Sequence, residues 1–232
     1  MTTHTSPITI PGFGETKAGV RHFFGTRHGH EAAAFGAHAT VSVRQVHGTD
    51  VLILDRPVRP DDTFPGGWDA LVTNQPGIVI TVRTADCVPV LVHDPSQRLV
   101  AAIHAGWRGA VAGILPKTLA TLRQRFGSRA ASLTIGIGPS AGRCCYEVDE
   151  PVLAPLRTNF PEWRRVARET DAGKAFLDLR GLIRAQAEGE GVPSRQVFTV
   201  DLCTICNPDL FYSYRREGTA STAMTSGIML IP

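Results

Sequence analysis

No stretch of this 232-residue chain approaches the roughly 20 consecutive apolar residues that a membrane-crossing helix needs, so no membrane partner is expected. The opening, MTTHTSPITIPGFGE, lacks a basic start followed by an apolar run and does not read as a signal peptide. Basic runs are missing too. The 24 lysines and arginines are interspersed with 21 acidic residues for a net charge of +3, which leaves nucleic acid and membrane surfaces without an electrostatic footprint. Cysteine is scarce. Five residues, an odd number without disulfide-scaffold density, point to a reduced, cytoplasmic protein. There is no repeat of fixed period, no low-complexity tract and no long linker, so residues 1–232 are read as one domain. The G-x-G-x-x-G fingerprint is absent as well; Ile135-Gly136-Ile137-Gly138-Pro139 ends a strand with glycines without completing it, which excludes a dinucleotide site of that type.

Short runs rich in Val and Ile, with turn residues between several of them, predict strands at 41–46, 51–54, 77–82, 88–92, 99–103, 133–137, 197–200 and 227–231. Residues 55–68, DRPVRPDDTFPGGW, read as an irregular loop. Helical periodicity shows at Leu115, Leu119, Leu122 and Phe126, closed by Gly127, with Pro116 placing the helix start nearby. A second helix is expected after Asp149, with Pro151 in its first turn, and a third over Leu179, Leu182, Ile183 and Gln186, stopping at Gly189 and Gly191. Many strands with few helices between them predict an α+β protein built on a mixed sheet.

Chemistry-bearing residues interrupt the apolar hairpin RTADCVPVLVHDPSQRLVAAIHAGWRG at 83–109, which holds Cys87 on one side and His104 on the other. A third such residue, His47, lies in RQVHG. All three are expected at or near strand ends, where rigid scaffolds open into sites. Two imidazoles and a thiolate suit Zn²⁺ and leave a fourth coordination position for water, whose pKa such a centre lowers to about 7. The spacing matches no zinc-finger pattern, so inert core residues and a Cys–His nucleophile pair stay open beside the metal reading. Arg44 shortly precedes His47 and Arg108 shortly follows His104, while Arg83 and Arg143 flank other strand ends; guanidinium groups there suit an anionic co-substrate. His28 and His30 in RHGH read as a polar loop rather than a metal site. Cys203 and Cys206 form a CxxC without a second one, and Cys144-Cys145 is adjacent rather than spaced. A four-cysteine zinc ribbon is therefore not expected, and packing is the favoured role for these four.

In this order, RQVHGTD, DALVTNQPGIVITVRTADCVPVLVHD, AAIHAGWRGAVAGI, IGPSAGRCCYEV and DLCTICNPDLFYSYRREG closely resemble the YfiH/YlmD-like family, from about His22 to the C-terminus. Its members include proteins called polyphenol oxidase, laccase domain-containing protein and peptidoglycan editing factor. The resemblance implies a mixed β-sandwich flanked by helices, similar to the catalytic domain of deamidating toxins. It also implies a metal site at His47, Cys87 and His104, zinc for preference with Cu²⁺ as the other candidate.

By the same resemblance the substrates are a purine nucleoside and inorganic phosphate. The reactions implied are phosphorolysis of adenosine, inosine, guanosine and methylthioadenosine, and deamination of adenosine to inosine. Arg44 and Arg108 are the candidates for neutralising phosphate, and Asp86, beside Cys87, for carrying a proton. An amide or peptide hydrolase editing cell-wall precursors and a copper-dependent phenol oxidase are the alternatives. Two departures from the family pattern stand out. SYRREGTASTAMTSG lacks the Gly-Arg pair that commonly precedes the last strand, and RHGH replaces an R-G-G stretch.

Overall fold

Strands that are apolar at nearly every position are buried on both faces when their sheet lies between two other layers. The computed structural model, which describes residues 7–13, 19–29, 35–59, 61–170, 173–219 and 222–232, has this arrangement. The strands are β1 (Val20–Phe24), β2 (Ala39–Val41), β3 (Val51–Leu54), β4 (Ala70–Thr73), β5 (Ile78–Thr84), β6 (Val88–Asp94), β7 (Leu99–Ala105), β8 (Thr134–Ile137), β9 (Glu147–Val148), β10 (Ala167–Glu169), β11 (Ala175–Leu177), β12 (Val197–Thr199) and β13 (Met224–Leu230). The helices are α1 (Trp107–Val111), α2 (Ile114–Phe126), α3 (Glu150–Asn159), α4 (Leu179–Gly189) and α5 (Tyr214–Glu217).

A six-stranded sheet in the order β12-β8-β6-β7-β4-β3 forms the centre, with β12 parallel to β8, β3 parallel to β4 and the remaining pairs antiparallel. A four-stranded sheet, β1-β13-β5-β2, packs on one face, and β9, β10 and β11 make a third, small sheet. Alternation along the central strands sorts the core. Leu71, Leu91, Val100 and Ala102 point toward the four-stranded sheet, where they join Ile78, Ile80, Val82 and Ile228. Val72, Val90, Val92, Ala101 and Ile103 point the other way, into a cluster with Leu115, Leu119 and Leu122 of α2 and Leu182 and Ile183 of α4. The period-2 side-chain pattern of a strand thus feeds two cores at once. The expected mixed sandwich flanked by helices is the fold observed, and among the described residues no helix is long and apolar enough to cross a membrane.

Most elements lie where the sequence puts them. The α2 helix ends at Gly127, whose φ of 72° is the left-handed closing conformation that glycine adopts freely, and Pro116 sits in the first turn, where no amide is needed. The predicted strand at 41–46 is the main exception. Only Ala39–Val41 pairs with β5, and the residues after it peel away into an irregular run ending at His47. The cause is a carboxylate that captures their amides, described below. Strands β1, β4, β9, β10 and β11 and helices α1 and α5 are additional; Ala70-Leu71-Val72-Thr73 is too short and too mixed to declare itself.

Candidate active site

Register brings the first two residues together. In the β6–β7 ladder Val88 faces Ala105 and Pro89 faces His104, so Cys87, one step before β6, lies opposite Gly106, one step after β7. A Cβ on Gly106 would stand 2.7 Å from Cδ2 of His47 and 3.1 Å from Sγ of Cys87. Only glycine leaves room for both side chains there. Gly109 does the same for the incoming loop, since a Cβ on it would meet the Gly48 carbonyl oxygen at 2.6 Å. The glycines of HAGWRG therefore admit the RQVHG segment against the end of the hairpin.

Asp69, just ahead of β4, fixes that segment. Its fully buried carboxylate accepts the amides of His47 at 2.9 Å, Gly48 at 2.7 Å and Val46 at 3.3 Å. These bonds hold His47 at φ 60°, a left-handed conformation that a non-glycine residue rarely keeps without such support. The same carboxylate lies 2.7 Å from Nδ1 of His104. Nδ1 thus carries the proton donated to Asp69, and Nε2 is left to face the site, the carboxylate–histidine arrangement common behind metal ligands. Gln45 locks the loop to β5, its Nε2 donating to the Arg83 carbonyl and its Oε1 accepting the Arg83 amide, each at 2.8 Å.

The result is a tight trio. Cys87 Sγ lies 3.8 Å from Nε2 of His47, the two imidazole rings are 4.7 Å apart and nearly perpendicular, and the ligand atoms of His47, Cys87 and His104 all fall within 4.8 Å of one another. A tetrahedral ion with N and S ligands needs donors about 3.3–3.8 Å apart, so these residues fit one with small adjustment. Burial works to raise the Cys87 thiol, but hydrogen bonds from His104 and His47 and their charges prevail and bring it down from 9.0 to about 7. Burial likewise lowers His104, yet the bonds to Asp69 and Cys87 dominate and lift it from 6.5 to about 9. Asp69, pushed up by burial and pulled down by His104 and its backbone donors, ends below its ordinary value. Such an environment favours thiolate, the form that ligates metal or attacks as a nucleophile.

Beside the trio opens a cavity of about 590 Å³, lined among others by Trp107, Tyr146 and Tyr214 and by Arg83, Arg108 and Arg215. Its volume is within the roughly 300–1,000 Å³ of small-molecule sites. Arg108 stacks on Trp107 at 4.5 Å and Arg215 on Tyr146 at 5.2 Å, so cation and aromatic faces alternate around the wall. Of the sequence-expected residues, His47, Cys87, His104, Arg83 and Arg108 come together here. Arg44 does not reach the cavity lining; its Nε donates to the Gly66 carbonyl on the outer side of the loop. Asp86 lines the cavity but its carboxylate is engaged, accepting from Thr204 Oγ1 at 2.5 Å, Ser213 Oγ at 2.9 Å and the Arg215 amide at 2.7 Å. It ties the C-terminal segment to the site instead of standing free to shuttle protons. Asp69 and Arg215 carry no sequence signal beyond an isolated acid before a strand and an arginine in a polar segment. His28 bonds to the Asp209 carbonyl, while His30, Ala220 and Ser221 lie outside the described residues.

Of the remaining cysteines only Cys203 is buried as the packing expectation has it. Cys144, Cys145, Cys203 and Cys206 meet in a single group, and Cys144 and Cys206 are exposed rather than buried as core residues.

Comparison with known proteins places these features in a wider set. A family model described as multi-copper polyphenol oxidoreductase laccase matches residues 25–231. A purine nucleoside phosphorylase of Bacteroides thetaiotaomicron is 42% identical over 165 residues, spanning 71% of this chain and 61% of that protein's length. An adenosine deaminase, RL5, from an unknown prokaryotic organism is 38% identical over 194 residues, 81% of this chain and 74% of the relative. Among solved structures, the crystal structure of the hypothetical protein YfiH of Bacillus licheniformis superimposes with a TM-score of 0.85 at 29% identity, covering 91% of this chain and 92% of the other.

Proposed function

The chain belongs to the family described as multi-copper polyphenol oxidoreductase laccase, and from that membership and the geometry of its site we propose that it is a zinc-dependent purine nucleoside enzyme. The reactions are phosphorolysis of adenosine, inosine, guanosine and methylthioadenosine, and deamination of adenosine to inosine. The observation that carries this reading is the convergence of His47, Cys87 and His104 beside a cavity walled by aromatic rings and guanidinium groups. The names of two relatives, a purine nucleoside phosphorylase and an adenosine deaminase, support the substrate class.

His47, Cys87 and His104 would hold the ion, and their mixed N and S donors suit borderline-soft Zn²⁺. When bound, zinc supplies Lewis acidity and lowers the pKa of a water in its open position to about 7. Asp69 holds the proton on Nδ1 of His104, so that Nε2 faces the site and would offer its lone pair to the ion as its own proton is displaced. Trp107, Tyr146 and Tyr214 offer flat faces for a purine. Arg108, Arg83 and Arg215 supply the positive charge that a phosphate needs as its oxygen attacks C1′ and the bond from C1′ to the base breaks. The anion-binding role assigned from chain proximity to Arg44 passes to Arg215, whose guanidinium is held by the Glu147 carbonyl at 2.9 Å beside the cavity.

One observation favours a second reading. A thiol brought to about 7 between two imidazoles is also a competent nucleophile, as an amide or peptide hydrolase would use. The phenol-oxidase alternative is weaker, because reduction of O₂ to water draws on several metals while the described residues of the cavity offer one His–Cys–His set.

Product analysis separates these. Zinc-loaded enzyme incubated with adenosine and phosphate is expected to release adenine and ribose 1-phosphate, with inosine and ammonia forming whether or not phosphate is present. Absence of both product sets, or equal turnover by Cys87→Ala, overturns the proposal. Rapid stoichiometric alkylation of Cys87 in the zinc-loaded protein, together with amide cleavage, would select the nucleophile instead.

A further inference from the structure

Four cysteines lie outside the His47–Cys87–His104 centre. Cys144 and Cys145 occupy the turn between β8 and β9, and Cys203 and Cys206 the segment after β12. A bridge between Ser140 and Cys203 brings these segments side by side, with the Thr204 amide donating to the Ser140 carbonyl at 3.0 Å. Their sulfurs converge. Cys206 Sγ lies 3.1 Å from Cys145 Sγ and 3.5 Å from Cys144 Sγ, and all four sulfurs fall within 4.8 Å of one another.

Three further observations decide what such a cluster is for. The two outer cysteines are exposed, so apolar burial does not explain the grouping. A backbone amide is aimed at sulfur: the Gly142 amide donates to Cys203 Sγ at 3.2 Å. An amide donating to sulfur favours thiolate over thiol. The third is Gly142 itself, where a Cβ would stand 3.0 Å from Cβ of Cys203 and 3.2 Å from Sγ of Cys144. Glycine there lets the sulfurs close up. A disulfide would use two sulfurs and leave the other two crowded beside it, whereas four thiolates with mutual spacings of about 3.8 Å are what a tetrahedral soft-metal site requires.

We propose that Cys144, Cys145, Cys203 and Cys206 bind a metal ion of the zinc class in an all-thiolate, four-coordinate site. Each thiol gives up its proton to solvent as its sulfur–metal bond forms, with no change of oxidation state. Four protein ligands leave no open position, so the site is structural. Its position gives it a job. It staples the turn that leads into Tyr146 to the segment that carries Thr204 and continues to Ser213 and Arg215, the three donors that hold Asp86. One wall of the cavity thus hangs on the cluster. The inference does not depend on the purine reading, because it concerns residues away from the catalytic trio.

Metal analysis on Cys87→Ala protein isolates the cluster, since that variant keeps no other cysteine. Purified under reductant and exchanged through a mild chelator, it is expected to retain about one zinc ion per chain. After replacement of zinc by Co²⁺ it is expected to show strong thiolate-to-metal charge-transfer absorption, and Cys87→Ala/Cys206→Ser is expected to lose both ion and absorption. A folded Cys87→Ala protein without metal, or one whose intact mass shows disulfides in place of metal, overturns the proposal. Should the double variant fail to fold, the Co²⁺ spectrum of Cys87→Ala decides alone, its absence counting against the site.

Discussion

At Asp69 one wholly buried carboxylate meets three backbone amides and one imidazole. It fixes the orientation of His104 and the backbone of His47 together, so two of the three proposed ligands depend on it. Asp69→Asn keeps the shape but removes the charge and forces an amide nitrogen toward either a backbone donor or the ring. Metal affinity, read by competition against a chromophoric chelator, is expected to fall about 10- to 100-fold. Unchanged affinity would mean that His47 and His104 are oriented by packing alone. His47, Cys87 and His104 stood out in the sequence through their places near strand ends and through the family resemblance, since residue type alone left inert core residues open. Asp69 did not, because a lone acid before a short strand looks like any solvated charge. Arg44 misled for a related reason: a neighbour along an irregular loop need not face the same way, and its guanidinium turns to Gly66.

Elements meet at the site through glycine. Helix α1 and the RQVHG loop approach closely enough that a methyl group on Gly109 would press on the Gly48 carbonyl, a backbone atom that cannot swing aside. Gly109→Ala is therefore expected to cost on the order of 1–3 kcal/mol and to weaken metal binding by displacing His47. Gly189→Ala is the contrast: nothing lies within 4 Å of a Cβ there, and alanine in the last turn of α4 is expected to raise Tm slightly. Thermal melts of both variants test the pair, and a Gly109→Ala protein as stable and as metal-rich as the parent would contradict the close approach. The same contrast explains which elements the sequence revealed. Central strands and α2 announced themselves through uninterrupted apolar runs and a capped periodic stripe. The predicted strand at 41–46 failed at the loop, where long-range capture of amides by Asp69 overrode local β propensity. The cysteine cluster stayed hidden because its two halves lie far apart in the chain and match no regular spacing.

Across the whole molecule, the buried His22 and His93 weaken the fold in acid. His22, whose Nε2 accepts the Ile10 amide at 2.9 Å, is lowered by burial from 6.5 to about 4. His93 in β6 is lowered by burial to about 4 despite the raising charge of Asp94. Both bind a proton more readily in the unfolded chain, so the folded state loses stability as pH falls from 6.5 toward 4, by at most about 3 kcal/mol for each. His22→Gln, which keeps an acceptor for Ile10, is expected to flatten the decline of Tm over that window; an unaltered slope would assign the acid sensitivity elsewhere. Under the proposed function, three residues from separate parts of the chain act together as one metal centre. Its most direct test is turnover of adenosine by one preparation as purified, after exhaustive chelation, and after return of Zn²⁺, with His47→Ala and Cys87→Ala measured alongside. Activity is expected to be lost with the metal, restored by zinc in the parent protein, and not restored in either variant. Activity that survives chelation, or zinc rescue of Cys87→Ala to the parent's rate, would contradict the proposed function.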